Sequence, residues 1–154
     1  MGTVAVQAIG WVRGGRALPE DDDWDAVRSR IELDPAVLER DATDGLAEFS
    51  HVEVIFLFDR VDEDTVCTGS RHPRGRTDWP RVGILAQRAK DRPNRLGSTV
   101  CRVLEVGPHL IEVAGLDAID GTPVLDVKPF MTGFAPRGQV RQPGWAAELM
   151  AGYW

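Results

Sequence analysis

Short apolar stretches separated by tight turns follow one another from residue 98 to residue 128, with no long connection between them. Residues 98–106 and 110–114 flank the turn sequence GPH at 107–109, which predicts a hairpin. The turn DGTP at 120–123 precedes a further short strand at 124–128, which ends before Pro129. Strands joined by such turns pair with antiparallel neighbours, because parallel pairs need a long crossover between them. This half of the chain therefore predicts an antiparallel sheet.

The first half of the chain adds one clear strand and several weaker elements. Residues 50–58, SHVEVIFLF, place Val and Phe alternately on one face, and the other face is aliphatic over part of its length. A weaker strand is predicted at 4–13. Residues 21–31 carry acids followed by apolar positions at helical spacing, which predicts a short helix, although 28–33 fits a strand equally well. A turn of helix is expected at 35–40 and a docking helix at 145–150.

These elements predict a mainly β fold, a compact antiparallel β-barrel with a few short peripheral helices. At 154 residues the chain is expected to form a single domain, 1–154. No apolar run approaches the roughly 18 residues that cross a bilayer. The start of the chain also lacks the basic residues and hydrophobic block of a signal peptide. We therefore expect a cytoplasmic protein without a membrane partner.

Charge is unevenly spread along the chain. The net charge is −6, yet residues 71–102 hold nine cations against two carboxylates, a local net charge of +7. Such asymmetry predicts a surface for a carboxylate, a phosphate or a nucleic acid, unless the acidic segment 20–25 balances it. The overall acidity argues against non-specific nucleic-acid binding as the main role.

Several common catalytic signatures are absent from the sequence. It holds no GxGxxG fingerprint, P-loop, GxSxG elbow, HExxH or CxxC motif, so phosphoryl transfer, triad hydrolysis and zinc chemistry are poorly supported. Cys67 and Cys101 are isolated from each other and from the three histidines. That spacing predicts neither a disulfide nor a metal site. Both cysteines are expected to be ordinary small side chains, buried or half-buried.

A basic loop follows an apolar strand end in residues 83–97, GILAQRAKDRPNRLG. Its Pro, Asn and Gly residues can stiffen the loop into one shape. Its arginines offer planar, bidentate recognition of a carboxylate or phosphate, and they are Arg88, Arg92 and Arg95. The loop therefore predicts an anion site, with a surface loop carrying incidental arginines as the alternative.

Three carboxylates lie close together in residues 115–130: Asp117, Asp120 and Asp126. Asp120 precedes Gly121 and most simply caps a turn. Asp126 shares a strand face with Lys128 and could simply pair with it. A functional carboxylate here could hold a ribose hydroxyl or an amino group, or offset a sulfonium charge. Asp117 is the one for which we favour a functional role.

The string RPN followed by LG, and then LDAIDGTPVLDVKPF, resembles the TrmO/TsaA-like family. GLAEFSH at 45–51 and IGWVR at 9–13 match further blocks in the same order, so the resemblance covers most of residues 4–130. It implies a compact β-barrel methyltransferase that uses S-adenosyl-L-methionine and is unrelated to Rossmann-type methyltransferases. It also implies a homodimer with the cofactor near the subunit interface. The founding activity of the family is N-methylation of threonylcarbamoyladenosine in tRNA, next to the anticodon.

Carried over residue by residue, the resemblance implies a cofactor-binding set. The family's arginine before RPN corresponds to Arg88, and we expect Arg88 to bind the cofactor's carboxylate while Asp117 holds its ribose or adenine end. The family's His-Gln pair corresponds to Asp59 and Arg60, a change in chemistry that bears on specificity for the cofactor or acceptor. The loop with Asn94 would wall the acceptor site. The implied cofactor-binding residues are Asp59, Arg60, Arg88, Asn94, Ser98, Ala114, Gly115, Leu116 and Asp117.

Three roles are compatible with these residues. Methylation of tRNA is favoured by the matching blocks and by the basic segment 71–102. Methylation of a small metabolite is favoured by the short chain, the net charge of −6 and the Asp59-Arg60 pair. The third is a cofactor-binding regulatory module without catalysis. No catalytic residue is assigned, although Asp120 or a water could take a proton from an amide-like acceptor nitrogen.

Overall fold

Six antiparallel strands close into a barrel in the computed structural model, which describes residues 2–154. The described strands are, in chain order, β1 (Gly10–Arg13), β2 (Arg28–Leu33), β3 (His51–Leu57), β4 (Ser70–Arg71), β5 (Val82–Gly83), β6 (Leu96–Gly107), β7 (Leu110–Ala114) and β8 (Pro123–Pro129). Around the barrel the order is β1-β2-β7-β6-β3-β8, and β8 pairs with β1 to close it. β4 and β5 form a separate two-stranded sheet. The predicted mainly β fold with an antiparallel barrel is confirmed.

The helical elements are short and lie outside the barrel sheet. Within the described residues α1 (Gly144–Met150) is the one α-helix, and it confirms the helix predicted at 145–150. The single-turn 3-10 helices are Leu46–Glu48, Glu63–Thr65, Pro73–Gly75, Ile84–Ala86, Pro93–Arg95 and Thr132–Phe134. Within residues 2–154, no helix is both long and apolar enough to cross a bilayer.

Alternating apolar residues decide which face of each strand lines the barrel. In β3 the side chains at 52, 54 and 56 are fully buried, while those at 51, 53, 55 and 57 are half-buried, as the sequence indicated. The barrel core consists of Val12, Ile31, Leu33, Val52, Val54, Phe56, Cys101, Ile111, Val113, Leu116, Ala118 and Val124. Each large aliphatic side chain buried there contributes about 1.5–3 kcal/mol relative to its exposed state.

The helix expected at 21–31 is wrong, and the alternative strand at 28–33 is right. Ser29, Ile31 and Leu33 are buried while the residues between them are exposed, which is the two-residue period of a strand. β2 pairs on one side with β1 and on the other with β7, so its backbone hydrogen bonds go to neighbouring strands. The helical spacing arose because Trp24 is also buried, although it lies before β2 and is not part of that strand.

Two other expectations are narrowed by the structure. The strand expected at 4–13 begins only at Gly10, because residues 2–7 are exposed and have no neighbouring strand. A Cβ at Gly10 would lie 2.3 Å from the carbonyl oxygen of Glu32, so the close approach of β1 to β2 requires glycine there. Residues 35–40 form a single turn, in which the Leu38 N–H donates to the Asp34 carbonyl at 2.9 Å.

The predicted hairpin at 107–109 is present as the β6–β7 connection. Gly107 and Leu110 are register partners, and His109 takes a positive φ of 55° in the turn between them. At its other end β6 contacts the core closely, since a Cβ at Gly97 would lie 2.4 Å from the Phe56 ring. Ser98 and Thr99 follow Gly97 on β6, and both lie at the candidate site described below.

Candidate functional site

The chain leaves the barrel after β7 through a buried turn that ends at Asp117. Ala114, Gly115 and Leu116 are all buried. Gly115 has a φ of +81° and its N–H donates to the Val27 carbonyl at 3.0 Å, so the turn is fixed by a conformation that favours glycine. These three residues of the predicted set position the backbone and present no side-chain functional group to a cavity. Asp117 is the first residue of this stretch whose side chain is only half-buried.

Two hydroxyl groups hold the Asp117 carboxylate. The Thr99 hydroxyl donates to its Oδ1 and the Tyr153 hydroxyl donates to its Oδ2. Burial, together with the charge of Asp117 and this hydrogen bond, raises the pKa of the Tyr153 phenol well above its ordinary value. Tyr153 therefore stays protonated and remains a donor at neutral pH. Asp117 is thus held in one orientation, with lone pairs left for a further donor.

Arg88 and Ser98, two residues of the implied set, lie together. The Arg88 Nη2 donates to the Ser98 carbonyl at 2.6 Å, and the Ser98 hydroxyl donates to Glu53 Oε1 at 2.8 Å. Arg88 is an exposed residue, so the rest of its guanidinium is accessible to an anion. This cluster brings one cation and one further carboxylate to the same edge of β3 and β6.

Three cavities share these residues. The first cavity, about 550 Å³, is lined by Trp24, Phe58, Asp59, Arg60 and Asp117 among others. The second cavity, about 420 Å³, is lined by Glu53, Arg88, Ser98, Thr99, Val100, Asp117, Met150, Tyr153 and Trp154. The third cavity, about 610 Å³, shares Arg88 with the second and Phe58 with the first. Volumes of this size suit a small organic ligand.

The predicted set is therefore divided around Asp117. Asp59 and Arg60 lie on the side of the first cavity, and Arg88 and Ser98 lie on the side of the second. Asn94 lines none of the three cavities. It is exposed, with a φ of 64°, in the turn that leads into β6. Its position shows a conformational role in the loop, which the sequence anticipated from the tolerance of Asn for left-handed backbone.

Two candidate carboxylates, those of Asp120 and Asp126, already have partners within the chain. The Asp120 carboxylate accepts the Gly14 N–H at 2.9 Å, so it caps a turn of another part of the chain rather than its own. It lines none of the three cavities, which argues against Asp120 as a proton acceptor. Asp126 pairs with Lys128 at 2.6 Å, as the shared strand face indicated.

Most cations of the segment 71–102 are paired within the chain. The ion pairs are Arg71–Asp91, Arg74–Asp22, Arg76–Asp78, Arg95–Glu63 and Arg102–Asp25. Two of these partners come from the acidic segment 20–25, so that segment balances the basic one. The expectation of one broad surface for an anion is therefore reduced to the third cavity, whose lining includes the carboxylates of Glu20, Asp21 and Asp91 as well as three cations. These cations are Arg81, Arg88 and Lys90, and they make no ion pair within residues 2–154.

Sequence reasoning missed the segment 144–154 as a part of the site. Its Met150, Tyr153 and Trp154 line the second cavity, and its Trp145 and Leu149 line the third. Four large apolar or aromatic residues at 145, 149, 153 and 154 signalled that the segment docks on something. Nothing local in the sequence indicated that it docks beside Asp117.

Neither the cysteines nor the histidines form a reactive centre. Residues 2–154 contain no group of three or more His, Cys, Asp and Glu side chains that could hold a metal ion. Cys101 is in the barrel core, where burial, and to a smaller extent the charge of Asp117, raises the pKa of its thiol to about 12. Cys67 is half-buried.

Comparison with known proteins identifies relatives over most of the chain. The profile of the family described as tRNA-methyltransferase O N-terminal domain matches residues 16–135. A putative S-adenosylmethionine-dependent methyltransferase RcsF of Pseudomonas aeruginosa is 41% identical over 101 residues, which is 66% of this chain and 42% of that protein. A probable S-adenosyl-L-methionine-binding protein of Methanothermobacter thermautotrophicus is 35% identical over 112 residues, 73% of this chain and 76% of that protein.

A tRNA (adenine(37)-N6)-methyltransferase of Escherichia coli is 36% identical over 95 residues, 59% of this chain and 40% of that protein. Among solved structures, TrmO from Pseudomonas aeruginosa superposes with a TM-score of 0.71 at 28% identity, covering 91% of this chain and 62% of that one. The chain spans less than half the length of the RcsF methyltransferase named above, 42%, and of the protein of the same name from Pseudomonas aeruginosa strain PAO1, 46%.

Proposed function

Since the chain belongs to the family of tRNA-methyltransferase O N-terminal domains, we propose that it is an S-adenosyl-L-methionine-dependent methyltransferase acting on tRNA. The acceptor we propose is threonylcarbamoyladenosine, methylated on nitrogen. The observation that carries the proposal is the Asp117 carboxylate, fixed by two hydroxyls at the edge of two cavities with Arg88 beside it. Relatives named as S-adenosylmethionine-dependent methyltransferases and as tRNA (adenine(37)-N6)-methyltransferases support it.

The residues around the second cavity fit the chemistry of this cofactor. S-adenosyl-L-methionine carries a carboxylate, an amino group, a sulfonium and ribose hydroxyls, so its site needs both signs of charge. Arg88 would bind the carboxylate, and the lone pairs of Asp117 would accept from a ribose hydroxyl. Glu53 adds a negative charge for the cationic groups. The second cavity thus brings the guanidinium of Arg88 and the carboxylates of Asp117 and Glu53 together within about 420 Å³.

When bound, the cofactor supplies an electrophilic methyl group. The chain's own contribution is to hold the reactants in line and to exclude water, effects worth on the order of 7–11 kcal/mol when alignment is good. Asp59 and Arg60 line the first cavity, which shares Asp117 with the second and is not lined by Arg88. We assign that cavity to the acceptor. Because Asp120 caps a turn and lines none of the three cavities, we propose that a water takes the acceptor's proton.

A small metabolite is the second candidate acceptor, and one observation favours it. Five of the nine cations in 71–102 are paired with carboxylates of the chain, and the whole sequence carries a net charge of −6. Little unpaired positive charge is then left to follow an RNA backbone, which normally dominates the affinity of nucleic-acid-binding proteins. The third candidate function is a regulatory module that binds the cofactor without catalysis.

A transfer assay separates the three. Cofactor labelled in its methyl group is incubated with the chain and either tRNA that lacks this methyl group or a metabolite extract. Label in the tRNA, followed by mass identification of a methylated threonylcarbamoyladenosine nucleoside, is the expected result. Label entering only small molecules would show that the acceptor is a small metabolite and not tRNA. Cofactor binding without transfer to either acceptor would favour the regulatory module.

We further propose that residues 1–154 act as one domain in a cytoplasmic homodimer. The outward side chains of Leu96, Val100 and Leu104 on β6 are 42–43% exposed, with Ser98 and Arg102 between them on the same face, and a second copy could cover this face. Sedimentation equilibrium should give twice the chain mass of 17.0 kDa, and a mass of one chain at all concentrations would remove the dimer.

A further inference from the structure

We infer that the segment 144–154 supplies one wall of the cofactor site, with Tyr153 as a positioning residue for Asp117. The inference rests on the proposed function, because it concerns the same cavity. It goes beyond it by assigning part of the site to residues outside the matched family region, which ends at residue 135.

Direct hydrogen bonds fasten the segment to the barrel surroundings. The backbone N–H of Asp23 donates to the Gly152 carbonyl, and that of Trp24 donates to the Tyr153 carbonyl, both at 2.9 Å. The Trp79 indole N–H donates to Glu148 Oε2 at 2.7 Å. Trp24 and Trp79 are 3% and 4% exposed, so two of the segment's three partners are themselves buried. The acidic segment 20–25 thereby acquires a role, since it holds the 144–154 segment in place.

The fastened segment presents three large side chains to the second cavity. Met150, Tyr153 and Trp154 line it together with Arg88 and Asp117. The Tyr153 and Trp154 rings meet edge to face with their centres 4.8 Å apart, and Trp154 remains 50% exposed. An adenine ring needs such an apolar, aromatic surface, while the β3–β6 edge of the cavity is mainly polar. The segment supplies the surface that the barrel lacks.

Tyr153 also acts through Asp117. Without its hydroxyl the carboxylate keeps only the Thr99 hydroxyl as a side-chain donor, and it can then rotate. A carboxylate held by two donors is already oriented toward a third, so less conformational freedom is lost when a ribose hydroxyl binds. Tyr153→Phe, which removes the hydroxyl and keeps the ring, should therefore weaken ligand binding even though the packing of the ring is retained.

Calorimetric titration with S-adenosylhomocysteine tests this on the full chain. Tyr153→Phe should raise the dissociation constant about tenfold, the effect of one hydrogen bond to a charged group. In an Asp117→Ala background the same change should alter the dissociation constant less than about twofold, because the acceptor through which Tyr153 acts is gone. Trp154→Ala should also weaken binding, whereas Phe134→Ala, at a residue 83% exposed and outside the three cavities, should not.

The alternatives give distinct results. Equal or tighter binding by both Tyr153→Phe and Trp154→Ala would overturn the inference, since the segment would then be a bystander or an obstruction. Equal losses from Tyr153→Phe in the two backgrounds would also overturn it, because they would show a general structural effect. A wild-type chain that binds no S-adenosylhomocysteine would contradict the proposed function itself, which is a separate outcome. Circular dichroism melting confirms that each variant is folded.

Discussion

At the residue scale, the two cysteines lie in environments that make their thiols chemically different. Cys101 is 2% exposed and its thiol pKa is raised to about 12, whereas Cys67 is half-buried. Since the thiolate is the reactive form, iodoacetamide at pH 8 should alkylate Cys67 and spare Cys101 in the native protein. Mass spectrometry should then show one modification per native chain and two in urea. Native Cys67→Ser should take up none, and modification of Cys101 in that variant would contradict its placement in the core.

Stability at low pH should depend on the Arg71–Asp91 pair. The two guanidinium nitrogens each lie 2.5 Å from a carboxylate oxygen of Asp91, and hydrogen bonding to Arg71 lowers the Asp91 pKa. Because the Asp91 pKa is lowered in the folded state, the pair contributes fully above the unfolded pKa of about 3.9, and this contribution is lost as the pH falls from there through the lower folded-state pKa. Asp91→Asn should therefore cost about 1 kcal/mol of unfolding free energy at pH 7 and much less at pH 3.

Urea denaturation at the two pH values measures this difference. Asp78→Asn is the matched control, because Arg76–Asp78 is also an arginine–aspartate pair but its side chains are 51% and 59% exposed. The control should leave the unfolding free energy unchanged at both pH values. If Asp91→Asn lowers the unfolding free energy as much at pH 3 as at pH 7, the stabilisation does not come from the charge of the Arg71–Asp91 pair.

At the scale of single elements, β6 depends on a glycine at one end and not at the other. A Cβ at Gly97 would lie 2.4 Å from ring atoms of the buried Phe56, whereas a Cβ at Gly107 meets no atom within 4 Å. Gly97→Ala should destabilise the chain by about 2 kcal/mol through overpacking, and Gly107→Ala by much less. Chemical denaturation of both variants measures the contrast. Equal stabilities would mean that the β3–β6 pair shifts freely, which its fully paired register does not favour.

Local patterns in the sequence were sufficient for some elements and insufficient for others. β3 and the β6–β7 hairpin could be predicted because alternation and turn chemistry are properties of neighbouring residues. β2 could not be separated from a helix, since Trp24, Val27 and Ile31 have helical spacing while 28–33 alternates. Pairing with β1 and β7 decided between the two, and such pairing is absent from any local window.

At the scale of the whole molecule, the family motifs located only part of the candidate site. They identified Arg88, Ser98 and Asp117, which the barrel brings around one cavity. They could not identify Tyr153, because its contact with Asp117 joins positions 36 residues apart through a segment that no motif covers. For the basic segment the sequence left two alternatives open, an anion surface or a balance by the acidic segment 20–25, and the pairs with Asp22 and Asp25 favour the second.

Calorimetric titration of S-adenosyl-L-methionine into wild type and Arg88→Ala tests the central claim, that the cavity between Arg88 and Asp117 holds the cofactor. Losing a charge-assisted contact worth about 1.5–3 kcal/mol should weaken binding roughly 10- to 150-fold. Arg30→Ala is the control, because Arg30 is exposed on β2 and lines none of the three cavities. We expect wild-type affinity for Arg30→Ala and a large loss for Arg88→Ala. Undiminished binding by folded Arg88→Ala would contradict the assignment of this cavity.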